Sequence, residues 1–491
     1  MQKLKILFAA SEAVLFAKTG GLADVSGMLP QKLAELGHSV KVALPRYSTI
    51  PENLLKNARD DISFDIEIDK TIRSIDIARL AHNNLNLEYL FIGNDFFFDR
   101  PELYRNPKTG KDYQDNDERF LFFCCGILEL LPRINFHPDI IHANDWQTAL
   151  LPAFLKTACE KDIYYSETKT ILTIHNLAYQ GLFPAESFDK LGLEKNLFYA
   201  TQPFEFWGRL NFLKAGITYA DVINTVSHTY AKEIQTSEEF GAGLEGVLKN
   251  RSNDLFGIIN GVDYNDWSPS QDKLLFRKYS PKNFSGKKIN KIELLKLADL
   301  KARDNVPLIG MISRLADQKG FDLIKKAAKE LLSLDIQMII LGTGEKKYHR
   351  LLEKLQTQYP DKLKVFLTYD NILAHRIEAG ADMFLMPSRY EPCGLNQLYS
   401  LKYGTVPIVR ATGGLTDTIE PVDFEIGAGT GYVFEKYTAK AMLTSIKSAV
   451  EDFSKKRKWR RIMKNGMNKD YSWDASARKY VELYNIALSK K

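Results

Sequence analysis

The chain has 491 residues, enough for two or three domains with their own hydrophobic cores. Its 45% hydrophobic and 26% charged residues are typical of a globular protein and argue against wholesale disorder, a collagen-like fibre and a bundle of membrane helices. The net charge of +6 has a single source, because residues 455–461 carry six cations and the other 61 basic residues balance the 61 acidic ones.

The first half of the sequence predicts alternating strands and helices. A buried strand over Leu4–Ala9, a glycine loop, a helix with apolar residues from Val25 to Leu36 and a strand over Val40–Leu44 form a βαβ unit. Residues 62–92 alternate apolar and polar side chains, which predicts antiparallel or edge strands that decorate the sheet. The rest of this half predicts helices around Asp117–Leu131, Trp146–Lys156 and Leu210–Thr218, and strands Asp139–His142, Thr170–His175, Val222–Thr225 and Phe256–Ile259.

A polar, lysine-rich stretch from about Asn265 to Asp304 precedes a second series of elements. Together the two series predict two doubly wound α/β domains of similar size, joined near residue 262. The second series consists of strands Val306–Ile312, Gln337–Leu341, Lys364–Leu367, Met383–Met386 and Val406–Val409, helices Phe321–Leu332 and Leu395–Lys402, and a last helix from about Ala475 to Leu488.

The termini and the cysteines suggest where the protein acts. The apolar run at the N-terminus is shorter than the core of a signal peptide, and no segment approaches the roughly 18–20 apolar residues of a membrane span. The four cysteines have neither zinc-ligand spacing nor the density of a disulfide scaffold. We therefore expect a cytoplasmic protein.

One short motif occurs in both halves. The sequence Thr-Gly-Gly-Leu-Ala-Asp at 19–24 returns as Thr-Gly-Gly-Leu-Thr-Asp at 412–417, each time after a predicted strand and at a helix start. Helix N-termini offer N–H groups and partial positive charge, which suit an anion. A convenient strand-to-helix turn is the alternative explanation for either copy taken alone.

Three cations lie where they can meet such an anion. Lys18 precedes the first glycine pair, whereas Arg314 and Lys319 lie five residues apart in a loop after a predicted strand and can converge on a diphosphate. The first loop is neither a P-loop nor a Gly-x-Gly-x-x-Gly turn, which argues against nucleotide hydrolysis and dinucleotide redox chemistry. Solvated surface cations are the alternative for the second pair.

Three further polar residues follow predicted strands: Asp145, His175 and Glu391. Each has an ordinary explanation, since Asp145 fits a helix N-cap, His175 a satisfied, partly buried histidine, and Glu391 a first-turn glutamate. Their joint occurrence at the carboxyl ends of strands in both halves, where open α/β sheets bind ligands, favours a shared site.

These motifs resemble those of bacterial glycogen synthases and plant starch synthases, which are retaining glucosyltransferases with the two-domain GT-B fold. The resemblance extends over essentially the whole chain, and the Lys-Thr-Gly-Gly-Leu opening is typical of the branch that uses ADP-glucose. It implies Rossmann-like domains over 1–262 (acceptor side) and 263–468 (nucleotide-sugar side) that face a central cleft, and a terminal helix within 469–491 that packs back on the first domain. The matching segments are 18–25, 142–146, 173–176, 260–263, 314–320, 387–405 and 412–417.

The resemblance implies a role for each site residue. Lys18, with Gly20, Gly21 and Asp24, would bind ADP-glucose, and Arg314 and Lys319 would neutralise the departing diphosphate. Glu391 would contact the donor sugar near its 3-hydroxyl, His175 its 6-hydroxyl, and Asp145 would organise donor and acceptor. The remaining implied contacts are Tyr369 on adenine, Asn260 and the backbone of Cys393, Gly394 and Leu395 on the glucosyl group, and Gly413 and Gly414 beside the phosphates.

The expected reaction is transfer of glucose from ADP-glucose to the non-reducing end of an α-1,4-glucan, with glycogen or a malto-oligosaccharide as acceptor. The resemblance implies no cofactor and no metal, and we expect no nucleic-acid or membrane partner; a homo-oligomer stays open. The alternatives are another GT-B transferase that makes sucrose, trehalose phosphate or a lipid-linked sugar, a non-catalytic glucan- or nucleotide-binding regulator, and a nucleic-acid-binding protein that uses residues 455–461, with the aromatic of that run stacked on bases.

Overall fold

A computed structural model describes residues 3–303 and 305–490. The chain divides into two compact units. The first contains the chain up to Val226, Ala231–Ile258 and the segment that begins at Trp473; the second contains Ser227–Tyr230 and Ile259–Ser472. The division near residue 258 lies a few residues before the position expected from the sequence, and the terminal segment begins at 473 rather than 469.

The strands of the described residues, numbered in chain order, are β1 (Lys5–Ala9), β2 (Ser39–Pro45), β3 (Arg59–Ile68), β4 (Thr71–Ala81), β5 (Leu87–Gly93), β6 (Ile140–Asn144), β7 (Lys169–Ile174), β8 (Leu182–Phe183), β9 (Glu205–Phe206), β10 (Arg209–Asn211), β11 (Val222–Thr225), β12 (Leu255–Gly257), β13 (Leu308–Ile312), β14 (Gln337–Leu341), β15 (Leu363–Phe366), β16 (Met383–Met386), β17 (Val406–Arg410) and β18 (Tyr432–Phe434).

The α-helices, also in chain order, are α1 (Gly21–Glu35), α2 (Glu52–Leu55), α3 (Asp95–Phe98), α4 (Asn116–Arg133), α5 (Leu150–Leu155), α6 (Phe212–Tyr219), α7 (His228–Glu233), α8 (Glu238–Gly241), α9 (Glu245–Asn250), α10 (Ser285–Leu297), α11 (Phe321–Ser333), α12 (Lys346–Gln358), α13 (Asn371–Gly380), α14 (Asn396–Tyr403), α15 (Gly413–Thr418), α16 (Ala439–Phe453), α17 (Lys456–Met467) and α18 (Trp473–Ser489). Among the described residues, no helix is long and apolar enough to cross a membrane.

The first unit is built on a nine-stranded sheet of order β12-β11-β7-β6-β1-β2-β5-β4-β3. Its first seven strands in this order are parallel, and β4 and β3 extend it antiparallel. The prediction that residues 62–92 only decorate the sheet is therefore wrong for β5, which pairs parallel with β2. The alternation of β5 hid this, because a polar residue, Glu88, is accommodated there by an ion pair with Arg79.

The second unit contains a parallel six-stranded sheet of order β15-β14-β13-β16-β17-β18. The strands are short and apolar because helices cover both faces. One buried cluster includes α11, α12 and α16, and a second includes α10, α13 and α15. Both units are thus α/β with parallel central sheets, and the predicted fold class is confirmed.

The last helix, α18, is part of the first unit. Its Tyr484 hydroxyl lies 2.9 Å from Nδ1 of His142 on β6, and its Tyr480 hydroxyl accepts a hydrogen bond of 3.1 Å from Asn224 on β11. These contacts connect polar side chains of β6 and β11 to a segment that is more than 250 residues away in the sequence.

Two lysine-rich segments are more ordered than their composition suggests. Residues 265–303 include α10, whose buried Lys287 donates to the carbonyl of Ala379 at 3.1 Å and to Thr405 Oγ1 at 2.7 Å. In the basic run 455–461, Trp459 is only 3% exposed and lies against Phe453 in the core. Its indole is therefore unavailable for stacking on bases, which removes the aromatic feature that had favoured nucleic-acid binding.

Candidate active site

Three polar residues of the first unit follow neighbouring parallel strands. Glu12 follows β1, Asp145 follows β6 and His175 follows β7, and these strands lie side by side in the sheet. Because parallel strands end at the same edge, the three side chains share the carboxyl edge of the sheet. This is the edge at which open α/β sheets bind ligands.

Asp145 is held in an unusual conformation. Its φ of +55° is rare for a residue other than glycine, and its N–H donates to the carbonyl of Thr173 at 2.9 Å. Its Oδ1 accepts the backbone N–H of His175 at 2.7 Å. It makes no capping hydrogen bond to the short helix at 146–148, so the N-cap explanation is wrong. Burial, with a smaller contribution from the charge of Glu12, raises the pKa of Asp145 to about 7.

His175 is a neutral hydrogen-bonding group. Burial lowers its pKa to about 3, so the ring carries one proton at neutral pH. Nε2 lies 3.0 Å from Oδ1 of Asn144, whose amide nitrogen donates to the carbonyl of Ala9 at 3.0 Å. Because this second bond turns Oδ1 towards the ring, Nε2 is the protonated nitrogen.

The glycine loop of the first unit is fixed by Glu12. This carboxylate is 4% exposed and accepts the backbone N–H of Thr19, the Thr19 hydroxyl at 3.0 Å and the N–H of Gly20 at 3.2 Å. The Tyr104 hydroxyl donates to it at 3.4 Å. Burial raises the pKa of Glu12 although these donors lower it. Two backbone N–H groups of the loop are therefore used within the protein.

The same loop leaves room next to its two glycines. A Cβ placed on Gly20 or Gly21 would have no atom within 4 Å, so internal packing does not require glycine at either position. A molecule bound on this loop can therefore come close to the backbone. Lys18 lies beside this space, and its ammonium contacts Asp24 Oδ1, in the first turn of α1, at 2.6 Å.

The second unit contains a partly buried ion pair at the carboxyl edge of its own sheet. Lys319 Nζ contacts Glu391 Oε1 at 2.9 Å and Oε2 at 2.6 Å, and the Ser388 hydroxyl donates to Oε2 at 2.9 Å. Glu391 is 5% exposed and follows β16, whereas Lys319 lies in the loop after β13. The structure therefore brings together two residues that are 72 positions apart.

A close backbone approach makes this pair possible. Gly320 has φ +79°, and a Cβ on it would collide with the carbonyl of Pro387. The carbonyl of Gln318 accepts the N–H of Arg389 at 2.8 Å, which joins the same two loops. Arg314, in this loop, is exposed and donates to Oε1 of Gln318 at 3.2 Å.

The segment that follows Glu391 provides a buried thiol, and Asn260, remote in sequence, adds an unsatisfied amide oxygen to the same unit. Burial raises the pKa of Cys393 to about 12, so the thiol stays protonated and is no nucleophile at neutral pH. Asn260 is 5% exposed, and within the described part of the chain its Oδ1 has no hydrogen-bond partner. Gly394, with φ +73°, and Leu395 lead into α14.

The second glycine pair differs from the first. Gly414 donates its N–H to the carbonyl of Glu391 at 3.1 Å, and a Cβ on Gly413 or Gly414 would collide with the backbone of 391–393. Close packing therefore requires glycine at these two positions, whereas it does not at Gly20 and Gly21. The contact of Gly413 and Gly414 with phosphates stays a prediction. Tyr369, 78% exposed beyond β15, likewise keeps its predicted role on adenine.

The structure adds three residues that the motifs did not single out: Glu12, Asn144 and Ser388. Each holds a predicted site residue or loop in place through the contacts described above. Glu12 has a related signal to that of Asp145 and His175, since it is a charged residue three positions after a buried strand, and that signal could have identified it. Ser388 and Asn144 could not have been identified in this way, because their partners depend on the tertiary fold.

Two family models match the chain. The model described as starch synthase catalytic domain matches residues 5–250, and the model described as glycosyl transferases group 1 matches residues 295–466. A glycogen synthase of Geotalea daltonii is 44% identical over 99% of this chain and 100% of its own length, and one of Koribacter versatilis is 46% identical over 99% and 98%. The chain belongs to the glycogen synthase family of glycosyltransferases.

Solved structures agree with this membership. The chain superposes with a TM-score of 0.88 on the catalytic domain of starch synthase IV from Arabidopsis thaliana, which is 32% identical over 100% of both chains and was solved bound to ADP and acarbose. A sucrose-phosphate synthase from Thermosynechococcus elongatus, 16% identical with a TM-score of 0.61, shares the fold. This glycogen synthase family member is therefore a glycosyltransferase with the GT-B fold.

Proposed function

We propose that the protein transfers glucose from ADP-glucose to the non-reducing end of an α-1,4-glucan with retention of configuration. The observation that carries the proposal is the Lys319–Glu391 ion pair, which holds a cation at the carboxyl edge of a parallel sheet in a glycogen synthase family member. The ADP bound to the Arabidopsis neighbour supports ADP-glucose as the donor, and its acarbose supports a glucan as the acceptor.

Three cations would act on the diphosphate. When the bond between the anomeric carbon and the phosphate oxygen breaks, negative charge builds on ADP, and cations that are already positioned stabilise that charge. Lys319 is oriented by Glu391 and Lys18 by Asp24, so neither ammonium has to be ordered during the reaction. Arg314 can offer a planar fork to the same group.

The segment 388–395 would hold the glucosyl group. Glu391 accepts from Ser388 and Lys319 and stays close to a fixed position, which suits a carboxylate that contacts a sugar hydroxyl. Asn260 places an unsatisfied amide oxygen in the same unit, and a hydroxyl is a donor that can satisfy it. Cys393 would contribute its backbone only, since its thiol stays protonated.

Asp145 and His175 would organise the reacting groups. His175 is neutral, and because Nε2–H is directed at Asn144, Nδ1 can accept from a sugar hydroxyl without adding charge. Asp145 would orient the acceptor, whose hydroxyl oxygen forms the new bond to the anomeric carbon. The proton of that hydroxyl passes to the departing phosphate, as the family resemblance implies.

The test is incorporation of labelled glucose into glycogen by the purified full chain, with ADP-glucose and UDP-glucose compared. We expect transfer from ADP-glucose, with label that β-amylase releases as maltose. Transfer from UDP-glucose alone, or label that β-amylase cannot release, would contradict the proposal. Lys319→Gln should lose about 10²–10³-fold in rate, whereas Lys326→Gln, at an exposed position on α11, should behave as the unmodified enzyme.

A further inference from the structure

A small sheet of the first unit presents an unusual tryptophan. Strands β9 and β10 form a hairpin whose two-residue turn is Trp207-Gly208, and β8 pairs with β10 to complete the sheet. Trp207 is 84% exposed, whereas the other four tryptophans of the chain are buried or half-buried. An exposed indole buries no apolar surface on folding, so core packing does not explain why tryptophan occupies this position.

The backbone at this turn is also unfavourable for tryptophan. Trp207 has φ +53° and Gly208 has φ +73°, the pattern of a type I′ turn, whose first central position favours asparagine, aspartate or glycine. A bulky residue with positive φ is strained, and such strain is found at functional positions. An exposed side chain at a strained position therefore indicates a role in binding.

The hairpin is rigidly held. Glu205 accepts the N–H of Gly208 at 2.7 Å and the N–H of Thr201 at 3.0 Å, so one carboxylate fixes the turn and the preceding loop. Lys214 of α6 donates to the carbonyl of Gln202 at 2.8 Å and to that of Glu205. The indole is thus presented by a fixed backbone, which lowers the entropy lost when it binds a partner.

This sheet is attached directly to the candidate active site. Phe183 on β8 lies 5.6 Å, between ring centroids, from Trp146, the residue that follows Asp145. Phe183 pairs with Leu210, and Trp207 lies three residues before Leu210 in the adjoining turn, so its Cα is within about 11 Å of that pair. The distance corresponds to a few glucosyl units of an extended chain.

We propose that Trp207 is a stacking platform for an α-glucan chain, remote from the reacting end; this rests on the proposed function. The C–H faces of glucose rings are apolar and pack on an indole, while their hydroxyls stay in water. The site contacts only acceptors that are long enough to extend from Asp145 to the hairpin. Long glucans therefore bind more tightly than short ones.

The test compares acceptors of different length. We expect Trp207→Ala to raise the ratio of the KM for maltoheptaose to the KM for maltose about tenfold, and Trp207→Phe to keep part of the effect. Ile163→Ala is the matched control, because Ile163 is 87% exposed in the same unit but precedes β7, at the opposite edge of the sheet. The control should leave the ratio unchanged.

Two further measurements decide the outcome. Trp207→Asn suits positive φ, so we expect it to melt no lower than the original chain and still to lose the preference for long acceptors. In electrophoresis through a gel that contains glycogen but no donor, Trp207→Ala and Trp207→Asn should both be retarded less than the original chain. The proposal would be overturned if the Trp207 variants kept both the KM ratio and the retardation of the original chain. It would also be overturned if the substitutions changed only the oligomeric state. No transfer from ADP-glucose by the original chain would contradict the proposed function instead, and the gel would still test Trp207.

Discussion

The Lys319–Glu391 pair allows catalysis and stability to be separated by experiment. Glu391→Gln keeps the shape of the side chain and the hydrogen bond from Ser388, but it removes the charge opposite Lys319. Lys319→Met removes the other charge. The double variant Lys319→Met/Glu391→Gln removes both and leaves no unpaired ion in the buried site.

The expected effect on stability follows from burial. Loss of one partner of a buried pair costs about 3–5 kcal/mol, because the remaining charge is uncompensated. The side chain of Lys319 keeps 21% of its accessible area and regains part of its hydration. We therefore expect Glu391→Gln to cost about 2 kcal/mol, which lowers the melting midpoint of a unit of about 200 residues by about 4–8 °C. The double variant should recover most of this loss.

The expected effect on the rate does not follow the same pattern. Each single variant should lower kcat/KM by about 10²–10³-fold, and the double variant should be no faster than the slower single one. Calorimetry and initial rates of glucose transfer measure the two quantities on the same preparations. If the double variant recovered both stability and rate, the pair would be only a structural contact and the assignment would be wrong.

Three further predictions test the first unit and the two glycine pairs. Because the pKa of Asp145 is raised to about 7, its protonated form stabilises the fold below about pH 4, and this contribution is lost as the pH rises through about 7. We expect kcat/KM to fall as the pH falls through about 7, because Asp145 becomes protonated. The Asp145→Asn variant should be slower than the original chain, and its pH–rate profile should lack this acid limb. Glu12→Gln should loosen the glycine loop and raise the KM for ADP-glucose about five- to tenfold with little change in kcat, in steady-state assays. Gly20→Ala should melt like the original chain but raise the donor KM, whereas Gly414→Ala should lose about 2–4 kcal/mol in denaturant unfolding.

Each of these predictions has a contrary result. An acid limb that persists in Asp145→Asn would assign the titration to another group. A fall in kcat with an unchanged donor KM in Glu12→Gln would contradict a role in positioning the loop. Equal losses of stability in Gly20→Ala and Gly414→Ala would contradict the difference in packing between the two glycine pairs.

Much of the fold was predictable because its signals are local. Short apolar runs such as β1 and β13 predict buried parallel strands, and the spacing of apolar residues predicts helices such as α11. The errors occurred where a tertiary contact overrides a local pattern. The polar alternation of β5 conceals a strand in the parallel part of the sheet, and the lysines before residue 304 conceal α10, which buries Lys287 against the carbonyl of Ala379.

The sequence by itself determined the fold class, the family motifs and the edge of each sheet at which polar residues gather, because these depend on residue type and spacing along the chain. Only the tertiary structure decided which side chains pair and what surrounds them. It placed Glu12 on the loop of Thr19, joined Lys319 to Glu391 across 72 residues, and left Gly20 open while packing Gly414. These properties depend on distances and burial between segments remote in sequence, for which local propensity carries no information.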